Sequence, residues 1–280
     1  MHFFEAIERE NDYNAEYAKL ESLCACNFSH ICYSINGYIE ENFIRWKRRS
    51  NYTSYNELRW QLGFCTEKDY DEIYYTAIDI TLEKYILFCE MIINLIIDLE
   101  VSKEPKLKEE VSVLIDTIKA TVAKAGMKIR SVDDEIMIVV NSPIAVGVAD
   151  KNLKIANPII EYNQYLLKGN LERKRELLKR IADDLEPKRE RLIRICGRQT
   201  KDFFHLVNTM DVRHNNIDPA DNAKYNSKFA KLNAAQKEEW YDLIYEQALA
   251  LYVAMEQQKR NEKIDKYKQD EAMEETMGRL

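Results

Sequence analysis

Residues 194–219 read RICGRQTKDFFHLVNTMDVRHNNIDP, and two of the chain's four histidines, His205 and His214, lie inside this stretch. At about 100° per residue, Arg198, Asp202, His205 and Thr209 share one stripe of a helix, while Phe203, Val207 and Met210 share the opposite one, flanked by Phe204 and Leu206. That pattern predicts an amphipathic helix that buries its aromatics and turns an arginine and a histidine outward. Asn215, Asn216, Asp218 and Pro219 then form a dense stop signal. The helix is expected to end near Arg213, with Arg213 and His214 on its last turn, where the helix dipole favours cations. Run on unbroken, it would turn His214 about 160° away from Arg198, toward the apolar side.

The chain around this stretch also reads as helix. Seven glycines and five prolines in 280 residues are too few for a turn-rich all-β protein, and the length suffices for two subdomains. The expected fold is mainly α, a multi-helix bundle in two subdomains with one small β-hairpin near 127–140. Residues 12–46 keep a three-to-four apolar spacing and are expected to form one helix. The cluster Arg45, Lys47, Arg48, Arg49 follows, with Tyr52 and Tyr55. Basic residues among aromatics can hold single-stranded nucleic acid, but a helix end with a packed turn accounts for them better. Ser54 and Glu57 form a capping box for the next short helix. Residues 68–100 carry the broadest apolar face, Ile78, Leu82, Tyr85, Ile86, Cys89, Ile92, Ile93 and Ile96, interrupted by Asn94 and Asp98.

A helix over 106–125 is closed by Gly126, and MKIRSVDDEIMIVVN then alternates at period two around a Val-Asp-Asp turn. The domain reading is an N-terminal helical domain over 1–125, a hairpin and connector over 126–150, a C-terminal helical domain over 151–268 and a flexible tail over 269–280. Within the C-terminal domain, residues 170–196 form a charged amphipathic helix interrupted at Pro187. A last helix over about 234–265 is expected to bury Trp240, Leu243, Ile244, Ala248, Leu251 and Met255.

Several chemistries are excluded. There is no Gly-rich phosphate loop, no nucleophile elbow, no H-E-x-x-H and no paired C-x-x-C knuckles, so no cofactor is expected. Cys24, Cys26, His30 and Cys32 have a tempting zinc spacing, but on one helix Cys24 and Cys26 point about 200° apart; no metal is expected, and the six cysteines read as reduced thiols. Asp133–Asp134 and Asp183–Asp184 read as solvated surface pairs. The start, MHFFEAIEREND, is polar and acidic by its fifth residue, and the longest apolar run is too short to span a bilayer. A cytoplasmic protein away from membranes is expected. With a net charge of −7, any RNA contact must be a local basic patch.

Arginine and histidine without metal ligands are a minimal kit for cleaving RNA. Histidine moves a proton, arginine holds the phosphate through its planar fork, and the neighbouring 2′-hydroxyl supplies the nucleophile. An Arg and a His two turns apart on a polar face are more often simply solvated, and Arg213–His214 is equally readable as a helix cap.

Residues 155–268, through DFFHLVNTMDVRHNNIDP, the following KYNSKFAKLNAAQKEEWYDLIYEQALAL and the all-helical order, resemble the HEPN-like domains of bacterial abortive-infection proteins. HEPN ribonucleases carry an arginine and a histidine separated by four to six residues, and Arg198 to His205 fits. Arg213-His214-Asn215-Asn216 looks like a second form of the motif, supported by Asn208 upstream. The two cannot both be the ancestral motif; the resemblance favours Arg213, His214 and Asn215, with Arg198 and His205 flanking them. It implies a metal-independent endoribonuclease of antiviral defence, cutting RNA such as tRNA at a composite site between two protomers of a homodimer, under a regulatory partner protein. The competing expectation is a non-catalytic helical adaptor or sensor built on the same helices.

Overall fold

The computed structural model describes residues 12–25, 34–65, 79–220 and 224–277. It is mainly helical with one two-stranded antiparallel hairpin. Among the described residues, no helix is long and apolar enough to cross a membrane. The chain divides into two compact units, residues 1–141 with 164–166, and residues 142–163 with 167–280.

The first unit holds helices α1 (Tyr13–Ala25), α2 (Ile35–Asn42), α3 (Tyr55–Gln61), α4 (Leu82–Asp98) and α5 (Lys108–Lys124) and strands β1 (Met127–Val132) and β2 (Glu135–Val140). The single helix expected over 12–46 is two. Ser34 is extended and its hydroxyl accepts the Gly37 amide, so a new helix starts there. Ser54 caps α3 by accepting the Glu57 amide. The Glu57 carboxylate reaches back one residue further than in a standard capping box, to the amide and hydroxyl of Thr53.

Helix α4 is the core of this unit. Thr81 caps it, and Leu82, Tyr85, Ile86, Cys89, Ile92, Ile93 and Ile96 are buried as the periodicity requires; residues 66–78 lie outside the described ones. The polar interruptions of α4 have a structural use that periodicity alone does not reveal. Glu90, Asn94 and Asp98 are four apart and therefore share one face. The Glu90 carboxylate accepts the Ile138 amide at 2.5 Å and the Gln164 side-chain amide at 3.0 Å. Asn94 accepts the Ile136 amide and donates to the Ile136 carbonyl. Asp98 accepts the Trp46 indole N–H and Arg48. Arg48 also donates to the Asp134 carbonyl, and Arg49 to the Tyr52 carbonyl. The basic cluster is thus a packed turn, as its position after a helix suggested.

The hairpin register runs Met127↔Val140 to Val132↔Glu135, and Asp133 and Asp134 both have positive φ, 48° and 64°. This is the two-residue turn whose twist matches the strands, so the Asp133–Asp134 pair forms a turn. The stretch read as a connector over 126–150 is divided: both strands pack in the first unit, whereas Pro143 opens a helix of the second, α6 (Pro143–Ala149), capped by Ser142.

The second unit continues with α7 (Ala156–Tyr162), α8 (Leu171–Leu185), a 3₁₀ turn Glu186–Lys188 containing Pro187, α9 (Arg189–Thr209), α10 (Ser227–Ala230) and α11 (Ala234–Met277). Its core joins Leu177, Leu178, Ile181 and Leu185 of α8 to Phe203, Phe204 and Val207 of α9 and Ile244, Ala248, Leu251 and Tyr252 of α11. Trp240 is only partly buried and Leu243 is exposed, because Tyr241 and Tyr245 occupy the inward positions instead. The tail expected to be flexible over 269–280 is helical as far as Met277. Its charges alternate in a way that supports a solvated helix.

Burial pushes the Glu90 carboxyl up to about 7, against the lowering effect of its bonds to Ile138 and Gln164. The folded protein therefore holds this proton more tightly than the unfolded chain. The associated stability is full below about 4.5 and is lost as pH rises toward 7. Glu90→Gln keeps an acceptor for the Ile138 amide and removes the titration. Measured by chemical unfolding, the variant is expected to gain on wild type by roughly 3 kcal/mol between about pH 4.5 and pH 8.

Candidate functional site

Helix α9 is not straight. Its backbone leaves the helical region at Cys196 (φ −133°, ψ 42°), so the segment from Gly197 to Thr209 is effectively a helix of its own. Phe203, Phe204 and Val207 are buried on its inner side, and Arg198, Lys201, Asp202 and His205 are exposed on the other. Arg198 is 96% exposed, with Asp202 one turn on at 3.5 Å. This half of the predicted stripe stands as the periodicity placed it.

The helix ends four residues earlier than the stop signal suggested. Thr209 is its last residue, Met210 caps it and Asp211 adopts a left-handed conformation with φ 60°. An aspartate tolerates that conformation when its side chain finds local backbone partners, and here the partner is Asn216. The Asp211 amide donates to the Asn216 side-chain carbonyl, and the Asn216 amide donates to the Asp211 carboxylate, both at 2.9 Å. The Asn216 side-chain amide also reaches the Lys224 carbonyl. Asn216 is 1% exposed, so it closes a loop and cannot orient a substrate. Asn226 locks the far side through the Thr209 carbonyl and the Asn216 carbonyl. Arg213 and His214 therefore sit in a loop beyond the helix.

Arg213 faces inward. Its side chain is 15% exposed and pairs with Glu186 and, at 3.2 Å, with Asp183, while its Nη2 donates to the Ala182 carbonyl at 2.8 Å. The guanidinium lies over the Phe204 ring, which Arg189 also covers. Partial burial would raise the Glu186 carboxyl, but the bond and charge of Arg213, with those of Arg189, hold it below the usual carboxylate range. Asp183–Asp184, expected to be solvated, is put to use here too. Asp183 pairs with Arg213, and Asp184 accepts the Tyr252 hydroxyl and pairs with Lys188.

His214 lies partly exposed in the same loop, its Nδ1 3.0 Å from Lys224 Nζ. The contact ties His214 to the lysine that follows the loop. Asn215 is exposed and donates to Asp218 at 3.4 Å. Asn208 is partly exposed on the last turn of α9. Among the described residues, no hydrogen bond or ion pair links Arg213 or His214 to Arg198 or His205.

One cluster escaped the sequence reading. Lys174 is buried between Glu238 at 2.8 Å and Asp242 at 2.7 Å, above the Tyr162 ring, and Tyr162 donates to Asp242. A lysine at an inward position of the α8 stripe was the available signal. Its acids come from α11, distant in sequence. One ammonium serves two carboxylates, and the Tyr162 hydroxyl and the Gly169 amide donate to them as well, so each group has a partner within the fold, which marks it as a structural cluster.

Among the described residues no group of histidine, cysteine, aspartate and glutamate could hold a metal. Of the zinc-spaced set, Cys24 is buried with its thiol pushed up by desolvation, and Cys26, His30 and Cys32 lie outside the described residues. No family model matches this chain, and no curated protein or solved structure matches it either.

The two arginines of the candidate motifs thus differ in role, and stability measurements separate them. Arg213→Ala removes its bonds to Glu186, Asp183 and the Ala182 carbonyl and leaves Arg189 alone with Glu186 and the Phe204 ring; it is expected to destabilise the protein by about 1–3 kcal/mol. Arg198→Ala is expected to change stability by less than about 0.5 kcal/mol. Thermal or urea unfolding of the two variants beside wild type checks both.

Proposed function

We propose that this protein is a metal-independent endoribonuclease of the HEPN type, acting in the cytoplasm in bacterial antiviral defence, with Arg198 and His205 as its reacting pair. One observation carries the choice of pair. Arg198 and His205 stand exposed on one face of α9 with Lys201 between them, whereas Arg213 is already engaged by two carboxylates and a carbonyl. A guanidinium so engaged has little to offer a phosphate.

On this reading the His205 imidazole accepts the proton of the 2′-hydroxyl as that oxygen attacks the adjacent phosphorus. Arg198 bears on the non-bridging oxygens, where charge accumulates. The bond to the 5′-oxygen breaks, that oxygen takes a proton from water while the imidazolium returns its own to solvent, and the products are a 2′,3′-cyclic phosphate and a 5′-hydroxyl end. Residues seven apart on a helix are separated by about 10 Å along its axis. Two copies crossing antiparallel would bring Arg198 of one close to His205 of the other, which agrees with a composite site in a homodimer. Arg213, Asn216 and Asp211 then act as positioning residues, fixing the loop beyond α9. His214, Asn215 and Asn208 border the RNA path, and a regulatory partner protein restrains the nuclease until infection.

The second reading, a non-catalytic helical adaptor or sensor, is favoured by one specific feature. The arginine of the motif that the resemblance prefers serves the fold.

The test is cleavage of labelled tRNA and unstructured RNA in EDTA. Wild type is expected to yield cyclic-phosphate ends. His205→Ala and Arg198→Ala are each expected to lower the rate by about a hundredfold or more, and His214→Ala to leave it within about threefold. Loss confined to His214→Ala would overturn the choice of pair. No cleavage by folded wild type would leave the adaptor reading.

A further inference from the structure

Helix α11 runs well past the core it serves. Among the residues whose burial is described, its last buried one is Met255, and every residue from Lys259 to Met273 is exposed. Val253, Gln257, Arg260, Ile264, Tyr267 and Glu271 recur at alternating spacings of four and three, which places them on one stripe in the a and d positions of a heptad. Val253, Ile264 and Tyr267 on that stripe are 47%, 50% and 66% exposed. Charge is distributed unevenly along the arm. Five basic and two acidic residues lie between 259 and 268, and Asp270 and Glu271 come just after them.

We propose that this arm is a dimerisation element that pairs antiparallel with the same helix of a second copy of the chain. The stripe is complementary to itself in that direction alone. Antiparallel pairing about a two-fold axis between residues 265 and 266 sets each Ile264 against the other copy's Tyr267 and each Arg260 against its Glu271. The flanking positions agree, with Lys263 meeting Asp270 across the pair, as g residues do in antiparallel coiled coils. Parallel pairing would stack Arg260 on Arg260 and Glu271 on Glu271, which like-charge repulsion disfavours. A helix polar on most of its circumference gains little by folding back on its own unit. The apolar pair in mid-arm gains by meeting its equivalent, and polar a and d residues set the register and direction. The inference is independent of the ribonuclease reading.

The test uses the full chain and a charge swap. Arg260→Glu alone sets two carboxylates against each other at the contact with Glu271, and Glu271→Arg alone sets two guanidinium groups there. Mixed in equal amounts, the two variants present only opposite charges to each other. By sedimentation velocity at tens of micromolar, wild type is expected to dimerise. Each single variant is expected to self-associate about tenfold or more weakly, and the mixture to recover a heterodimer. Ile264→Glu, which removes the apolar contact, is expected to weaken self-association about tenfold or more while melting like wild type. A monomeric wild type, or a dimer unchanged by Ile264→Glu and by both charge variants, would overturn the proposal; the latter would locate the contact elsewhere on the chain.

Discussion

The guanidinium of Arg213 joins three elements of the second unit. It satisfies Glu186 in the turn after α8, Asp183 and the Ala182 carbonyl at the end of α8, and it lies on Phe204 of α9. Charges this sheltered are tolerated only when each has a partner, so the three elements and the loop carrying Arg213 hold one another in place. The loop is held from within by the reciprocal bonds of Asp211 and Asn216. Candidate residues that look like one motif in the sequence thereby acquire two different duties. Arg213 and Asn216 hold the loop, and the outer stripe of α9 is left exposed.

The first unit follows a similar logic with weaker charges. Helix α4 is apolar on most of its circumference, and such a helix could pack in several rotations at little difference in energy. Glu90, Asn94 and Asp98 remove that freedom. Each takes a backbone or side-chain donor that would otherwise be buried unpaired, and an unpaired donor is costly. Asn94 pairs with both backbone groups of Ile136, doing for β2 what a further strand would do. Glu90 is the point of this arrangement most sensitive to pH, since its burial opposes its charge near neutrality.

Lys174 shows the same rule at a third place. A lysine on the apolar stripe of α8 would be a fault if α11 did not bring Glu238 and Asp242 to it. In each case the polar residue inside an apolar face selects one register among several that the apolar contacts would allow.

Much of the architecture was legible in the amino-acid order, because helix, turn and cap signals act over a few residues. The apolar period of α4, the hairpin with its Asp133–Asp134 turn, the Ser54 cap, the break at Pro187 and the outward stripe of Arg198 and His205 are all local consequences of residue type and spacing. The end of α9 was not legible. Asn215, Asn216, Asp218 and Pro219 signal a stop, but the helix ends at Thr209 because Asp211 gains a left-handed turn closed by Asn216, a partner that exists only in the folded loop. The inward turn of Arg213 was hidden for the same reason, since its acids lie 27 and 30 residues earlier in the chain. Spacing determines which side chains share a face; whether an arginine on it stays free or is claimed by carboxylates is decided when distant elements meet, because only desolvation and pairing in the tertiary structure set the energy of a buried charge.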